Sequence, residues 1–209
     1  MTDALSDFDA PRGWQVTISL RDIDPAVWRR LVLPDHLNFA ELHEVIQAAF
    51  GWTDSHLHQF SAGGLVIGAP EFDEDTVSRH RTFEATEIFL HDLVFPGQEH
   101  GLILYEYDFG DSWIHAIEFD TPVILDRGAT YPLLIGGERA APPEDVGGPG
   151  GYERFLEAWR DPLHEDYADT RRWAGRRFDP ETFDAVKTQK AILTALRRAR
   201  KDYRHREER

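Results

Sequence analysis

The chain has 209 residues, 41% of them hydrophobic and including 6 Trp, 6 Tyr and 13 Phe, which is enough to bury a sizeable core in one domain. It has no cysteine, which excludes disulfides, thiolate nucleophiles, zinc ribbons and iron–sulfur clusters and leaves His, Asp and Glu to hold any metal. A net charge of −15 argues against a broadly basic nucleic-acid-binding face, yet residues 1–170 carry 10 basic and 32 acidic side chains whereas residues 171–209 carry 13 and 6.

In chain order, Trp14, Val16, Ile18 and Leu20 alternate with Gln15, Thr17, Ser19 and Arg21, the period of a half-buried strand. Asp22-Ile23-Asp24-Pro25 breaks the run, and Val27 to Leu33 gives a second strand, antiparallel to the first because the connection is short. Asn38 caps a helix, with Glu41 three positions on as in a capping box. Phe39, Leu42, Ile46, Ala49 and Phe50 share one face of that helix before Gly51 stops it. His43 flanks the apolar arc, where a hydrogen-bonded histidine is commoner than a ligand. His56 to Phe60 reads as a strand with both histidines on one side, and the segment to Gly68 continues it or turns back. Residues 70–82 read as an acidic surface loop, and Ile88 to Phe95 as a helical turn before Pro96-Gly97.

Next comes the densest motif, Tyr105-Glu106-Tyr107-Asp108-Phe109-Gly110-Asp111-Ser112-Trp113-Ile114-His115. Folded about Gly110-Asp111 as a two-residue type II′ turn, it sets Phe109 opposite Ser112, Asp108 opposite Trp113 and Glu106 opposite His115. Leu102, Leu104, Glu106 and Asp108 then share a face with Trp113, His115, Ile117 and Phe119. Glu106 and His115 would form either a cross-strand ion pair that fixes the register or part of a site.

Tyr131 to Ile135 gives one more short strand, and Pro142 to Gly151 an extended, turn-rich loop. Tyr152, Phe155, Leu156 and Trp159 follow the i, i+3, i+4, i+7 spacing of an amphipathic helix. Asp161-Pro162 and Asp179-Pro180 each look like an N-cap followed by proline, so two more helices are expected to begin there, the last breaking near Thr188 to Lys190. With no βαβ alternation and no internal repeat, the pattern predicts an α+β fold. It has a mainly antiparallel sheet (β-β-α-β, then the central hairpin) and a helical C-terminal third packed on it. The expected organisation is a flexible N-terminus over 1–11, one domain over 12–195 and a basic tail over 196–209. No apolar run reaches the length of a membrane span and Met1 to Pro11 is unlike a secretory signal, so the expected location is cytoplasmic.

Ten histidines raise the question of a metal centre. The candidate ligands are His56, His58, His115, Asp108 and Asp111, with Glu106, Asp108, Asp111, Trp113, His115, Glu144 and Asp145 as the candidate cleft. Such a set would serve a divalent-metal-dependent hydrolase or nuclease, although no fixed-spacing signature such as HExxH is present. Turn chemistry accounts equally for Asp108 and Asp111. The glycine-rich loop before Tyr152 lacks a Walker lysine and carries Glu144 and Asp145, which repel phosphate, so turn-making is the better reading.

Several motifs in order resemble the Ri-plasmid ORF-3-like family over residues 12–195. They are Pro25-Ala26-Val27-Trp28-Arg29-Arg30, Leu42-His43 through Phe50-Gly51-Trp52 to His56-Leu57-His58-Gln59-Phe60, the Tyr105–His115 hairpin, and Pro142-Pro143-Glu144-Asp145-Val146-Gly147-Gly148 with Tyr152. Trp173 to Phe183 resembles the closing segment. The resemblance implies a compact α+β domain carried by plasmids and insertion sequences, and no reaction. Many relatives place cysteine near the Pro-Pro-Glu-Asp motif, where this chain has Ala141 and Val146, so a thiolate role cannot operate here. The leading expectation is a non-catalytic interaction module for a protein or nucleic-acid partner, with Arg197 to Arg209 as the candidate contact. The metal-dependent hydrolase or nuclease is the alternative.

Overall fold

The computed structural model describes residues 10–68, 81–94 and 101–207. The elements are β1 (Arg12–Leu20), β2 (Trp28–Pro34), α1 (Phe39–Phe50), β3 (His58–Ala62), β4 (Leu65–Gly68), β5 (Arg81–Phe83) and α2 (Leu90–Leu93). They continue with β6 (Leu102–Tyr107), β7 (Trp113–Ile124), β8 (Leu133–Glu138), α3 (Gly148–Arg160), α4 (Tyr167–Ala174) and α5 (Ala185–Glu207). The strands form one sheet in the order β5-β4-β3-β6-β7-β1-β2-β8, antiparallel at each pairing except β4 with β5. This is the expected α+β architecture. Among the described residues no helix is long and apolar enough to cross a membrane.

Strand alternation builds the core. Trp14, Val16 and Ile18 of β1 stand opposite Leu33, Leu31 and Arg29 of β2. On the other side of β1, Val16 and Ile18 meet Phe119 and Ile117 of β7, so all of these side chains share one face. α1 covers that face with Phe39, Leu42 and Ile46, each fully buried and each worth about 1.5–3 kcal/mol of burial. Asn38 Oδ1 accepts from the Glu41 amide at 2.8 Å, and Gly51, at φ 79°, ends the helix in the left-handed conformation. Glu41 does not turn back to complete a capping box. Its carboxylate is held at 2.6 Å by Arg200 of α5, which packs along α1 with Ile192, Leu196 and Ala199 buried.

Arg29 sits inside this core at 2% exposure and answers no carboxylate among the described residues. Its guanidinium donates to the carbonyls of Ala49 (2.9 Å), Trp28 (2.7 Å), Glu138 (2.8 Å) and Arg139 (2.9 Å), and it lies over the rings of Phe183 and Phe50. It thereby ties the C-terminus of α1 to β2 and to the end of β8. Burial lowers its pKa to about 10, still charged at neutral pH, as the negative end of α1 favours. At the outer edge of β8, the Gln189 side chain of α5 accepts from the Leu134 amide (2.6 Å) and donates to the Pro132 carbonyl (3.0 Å).

The hairpin register differs from the expected one by a residue. Tyr107 pairs with Trp113, Glu106 with Ile114 and Tyr105 with His115, leaving a five-residue loop, Asp108 to Ser112. Asp108 and Ser112 take positive φ (57° and 52°). Asp108 Oδ1 accepts from the amides of Gly110 (3.0 Å) and Asp111 (3.3 Å), and the Asp108 carbonyl accepts from Ser112 at 2.6 Å. A one-residue slip exchanges the two faces. Ile103, Tyr105 and Tyr107 therefore join Trp113, His115 and Ile117 inside, while Glu106 lies on the other face, bonded to Gln59 (2.8 Å) and Ser112 (3.0 Å). Burying two carboxylates costs more than a preferred turn gains, so the aromatic pattern decides the register.

Other boundaries shift for local reasons. β3 begins at His58, so His56 precedes the strand, and Gly63-Gly64 turns the chain back into β4. α3 begins at Gly148, taking Pro149 into its first turn, rather than at Tyr152. Asp161 and Asp179 cap single turns only, and α4 and α5 start later, α5 behind Asp184, whose Oδ1 accepts from the Lys187 amide (2.9 Å). α5 runs unbroken through Thr188 to Lys190, and the boundary expected at 195/196 falls inside it. The expectations for residues 1–9, for most of 70–82 and for Pro96-Gly97 lie outside the described residues, as do the side chains from Tyr203 on.

Candidate functional site

Three motif loops meet where β3 starts, β6 ends and β7 begins. They are the stretch after α1 (Trp52 to Leu57), the hairpin loop (Asp108 to Ser112) and the segment before α3 (Pro142 to Gly147). Glu144 is the clasp. One of its carboxylate oxygens accepts from the Thr53 amide (3.1 Å) and the Tyr107 hydroxyl (2.7 Å), and the other accepts from the Thr53 hydroxyl (2.6 Å). Burial pushes this carboxyl up, but the Thr53 and Tyr107 donors outweigh it and hold Glu144 below the usual range. Burial, with the bond to Glu144, pushes the Tyr107 hydroxyl well up. Trp52 Nε1 donates to the Pro142 carbonyl (2.9 Å), and the Gly147 amide donates to Asp111 (3.1 Å). Gly148 follows at φ 69°, where a Cβ would lie 2.5 Å from the Asp111 carbonyl oxygen, so only glycine fits.

Two histidine–carboxylate groups flank this junction. In the first, the Asp54 carboxylate accepts from His43 Nε2 (2.9 Å), and His43 Nδ1 in turn accepts from the Tyr105 hydroxyl (2.8 Å). The Tyr105 oxygen accepts from Gln47 Nε2 (3.0 Å), and Gln47 Oε1 accepts from the Asp54 amide (2.9 Å), which closes the ring. Burial raises the Asp54 carboxyl, but the His43 bond outweighs it and the net shift is downward. His58 stacks on His43 with centroids 3.6 Å apart and planes 8° apart; burial, then His43, lowers its pKa to about 3. In the second group His56 lies between Asp108 (Nδ1 to Oδ2, 3.6 Å) and Asp145 (Nε2 to Oδ1, 3.1 Å).

The residues singled out from the sequence are thus brought together only in part. His56, Asp108 and Asp145 converge, and Glu144 adjoins them. His58 belongs to the other group, and Asp111 is spent on holding Gly147. Glu106 is on the far face, and Trp113 is core. His115 is fully buried among Phe50, Trp52 and Tyr105, with Nδ1 against the carbonyls of Trp113 (3.2 Å) and Tyr105 (3.4 Å). Burial, partly offset by those carbonyls, lowers its pKa to about 3, so it is neutral, and it faces no carboxylate among the described residues. The five expected ligands therefore do not form one metal centre. The Asp54–His43–Tyr105–Gln47 ring escaped the sequence reading, though His43 and Gln47, four apart on α1, carried the signal.

Fold and site together define an α+β domain whose motif loops are clasped by structural carboxylates at one end of an eight-stranded sheet. The chain belongs to the plasmid pRiA4b ORF-3-like protein family, whose model matches residues 12–187. It is 37% identical over 167 residues to the uncharacterised protein y4hQ of Sinorhizobium fredii, covering 77% of this chain and 80% of that protein. It is also similar to the crystal structure of MM3350, a protein of unknown function from Methanosarcina mazei Go1. That match has a TM-score of 0.77 at 34% identity, over 85% of this chain and 97% of the other.

Proposed function

We propose that the chain is a non-catalytic interaction module that contacts nucleic-acid backbone through the outward face of α5. The observation that carries this reading is a basic row on an otherwise acidic protein. Lys187, Lys190, Arg197, Arg198 and Lys201 are all exposed, and at 100° per residue they fall within about 100° of helix surface. The row extends roughly 21 Å along the axis. Ile192, Leu196 and Ala199, on the opposite side, are buried, and Arg200 is held by Glu41, so the helix is fixed with these cations outward. A row ordered before contact loses little entropy on meeting a regular array of phosphates. The net negative charge of residues 1–170 disfavours approach by that part of the chain. The plasmid association of the family supports a nucleic-acid setting by association only.

The test is fluorescence anisotropy with a labelled DNA duplex across a salt series, comparing the wild type with a Lys190→Gln/Arg197→Gln/Lys201→Gln variant. Each lost phosphate contact is expected to reduce the slope of log affinity against log salt by about 0.9, or roughly 2.7 for the three. Absence of binding at low salt, or an unchanged slope in the variant, overturns the proposal.

A further inference from the structure

We propose that His56, Asp108 and Asp145 form a binding site for one divalent cation that accepts both nitrogen and oxygen ligands, with Mn²⁺ the ion best matched. The site does not rest on the nucleic-acid reading, since it lies on the loops and not on α5. Each of its three residues comes from a different motif loop, and one ligand atom from each lies within 4.8 Å of the others. His56 Nε2 is enclosed and makes no hydrogen bond among the described residues, although Asp145 Oδ1 is only 3.1 Å away. The carboxylate therefore stands off the line along which an N–H would donate. Two ligands of one ion, each about 2.1–2.2 Å from it, leave a gap of that size without needing that alignment.

Asp108 Oδ1 is occupied by the Gly110 and Asp111 amides, which fix Oδ2 beside the ring, 3.6 Å from Nδ1; because an imidazole gives one ion a single nitrogen, closing all three ligands at Nε2 takes a turn of the His56 ring toward Asp108. Asp108 is 13% exposed, whereas Asp145 is 73% exposed and can swing to close on an ion. Glu144 adds a further negative charge near His56 while remaining committed to Thr53 and Tyr107. One imidazole with two carboxylates matches an ion between the oxygen-seeking Mg²⁺ and Ca²⁺ and the sulfur-seeking metals. Three protein ligands also leave coordination positions for water or for a group on a partner.

The two neighbouring histidine sites fail where this one succeeds. His43 and His58 are parallel and stacked, so their nitrogen lone pairs run side by side and do not converge on a point, and both His43 nitrogens are already bonded. His115 Nε2 is also enclosed, but aromatic rings surround it, and among the described residues it has no hydrogen-bond partner and meets no carboxylate.

The test is calorimetric titration of the EDTA-treated full chain with MnCl₂, together with electron spin-echo spectroscopy of the Mn²⁺ complex. The expected result is one ion per chain with a directly bound imidazole nitrogen, and affinity reduced more than tenfold in both His56→Ala and Asp145→Asn. Asp145→Asn changes an exposed side chain and preserves the fold, so its loss of affinity is not a folding defect. Absence of binding at millimolar Mn²⁺, binding without a nitrogen signal, or undiminished binding in Asp145→Asn overturns the proposal.

Discussion

Replacing His115 with phenylalanine should flatten the acid limb of the stability curve. His115 is fully buried and its pKa is lowered to about 3, against roughly 6.5 in the unfolded chain. As pH falls through 6.5 the unfolded chain takes up a proton here that the folded chain refuses until about pH 3. The contribution is therefore complete above the unfolded value and is lost on acidification across that window. One such group changes stability by about 1.4 kcal/mol per pH unit, or roughly 4–5 kcal/mol over the window, a large share of a typical total of about 5–15 kcal/mol. His58, lowered to about 3, acts in the same direction. Asp54 and Glu144, both held below their usual range, add their losses at lower pH still, through their folded values. Urea unfolding at several values between about pH 6 and pH 4 would measure the slope directly. Phenylalanine fits the aromatic surroundings formed by Phe50, Trp52 and Tyr105 and cannot titrate, so His115→Phe should lower the slope by about 1.4 kcal/mol per pH unit, whatever it does to absolute stability. Parallel slopes for wild type and variant would refute the reasoning.

Arg29→Met leaves the carbonyls of Ala49, Trp28, Glu138 and Arg139 without their shared donor and should cost about 3–5 kcal/mol in urea unfolding. A loss below about 1 kcal/mol would show that water replaces the guanidinium. Gly148→Ala places a methyl 2.5 Å from the Asp111 carbonyl at φ 69° and should cost about 2–3 kcal/mol. A thermal midpoint equal to wild type would show that the hairpin loop and the start of α3 are not in contact.

Elements with a single apolar period were legible in the sequence. β1, β2 and α1 alternate or repeat cleanly, and the Asn38 and Gly51 caps follow from local backbone chemistry. The hairpin was harder because Leu102 and Leu104 on one face compete with Ile103, Tyr105 and Tyr107 on the other. The Gly110-Asp111 pair then points to the wrong register, since the turn is organised by Asp108. Asp161-Pro162 and Asp179-Pro180 show the converse problem: an aspartate before proline caps a turn as readily as a helix, and only packing decides which. At the site, the residue types were legible and their grouping was not. His56 and His58 are two apart, yet a strand that starts between them sends them to different carboxylates. No local pattern announces that Arg29 will be buried against carbonyls alone, because all its acceptors but one lie far along the chain.

The Gln189 amide, with its C=O and NH₂ bonded to Leu134 and Pro132, imitates the N–H and C=O that one residue of a ninth strand would turn toward β8. The sheet is thus terminated by a side chain borrowed from a helix, and self-association along β8 is coupled to whether α5 stays docked. A chain cut before Ala185 would lose that surrogate and leave the edge open to templated growth, making α5 a guard against aggregation as well as part of the core.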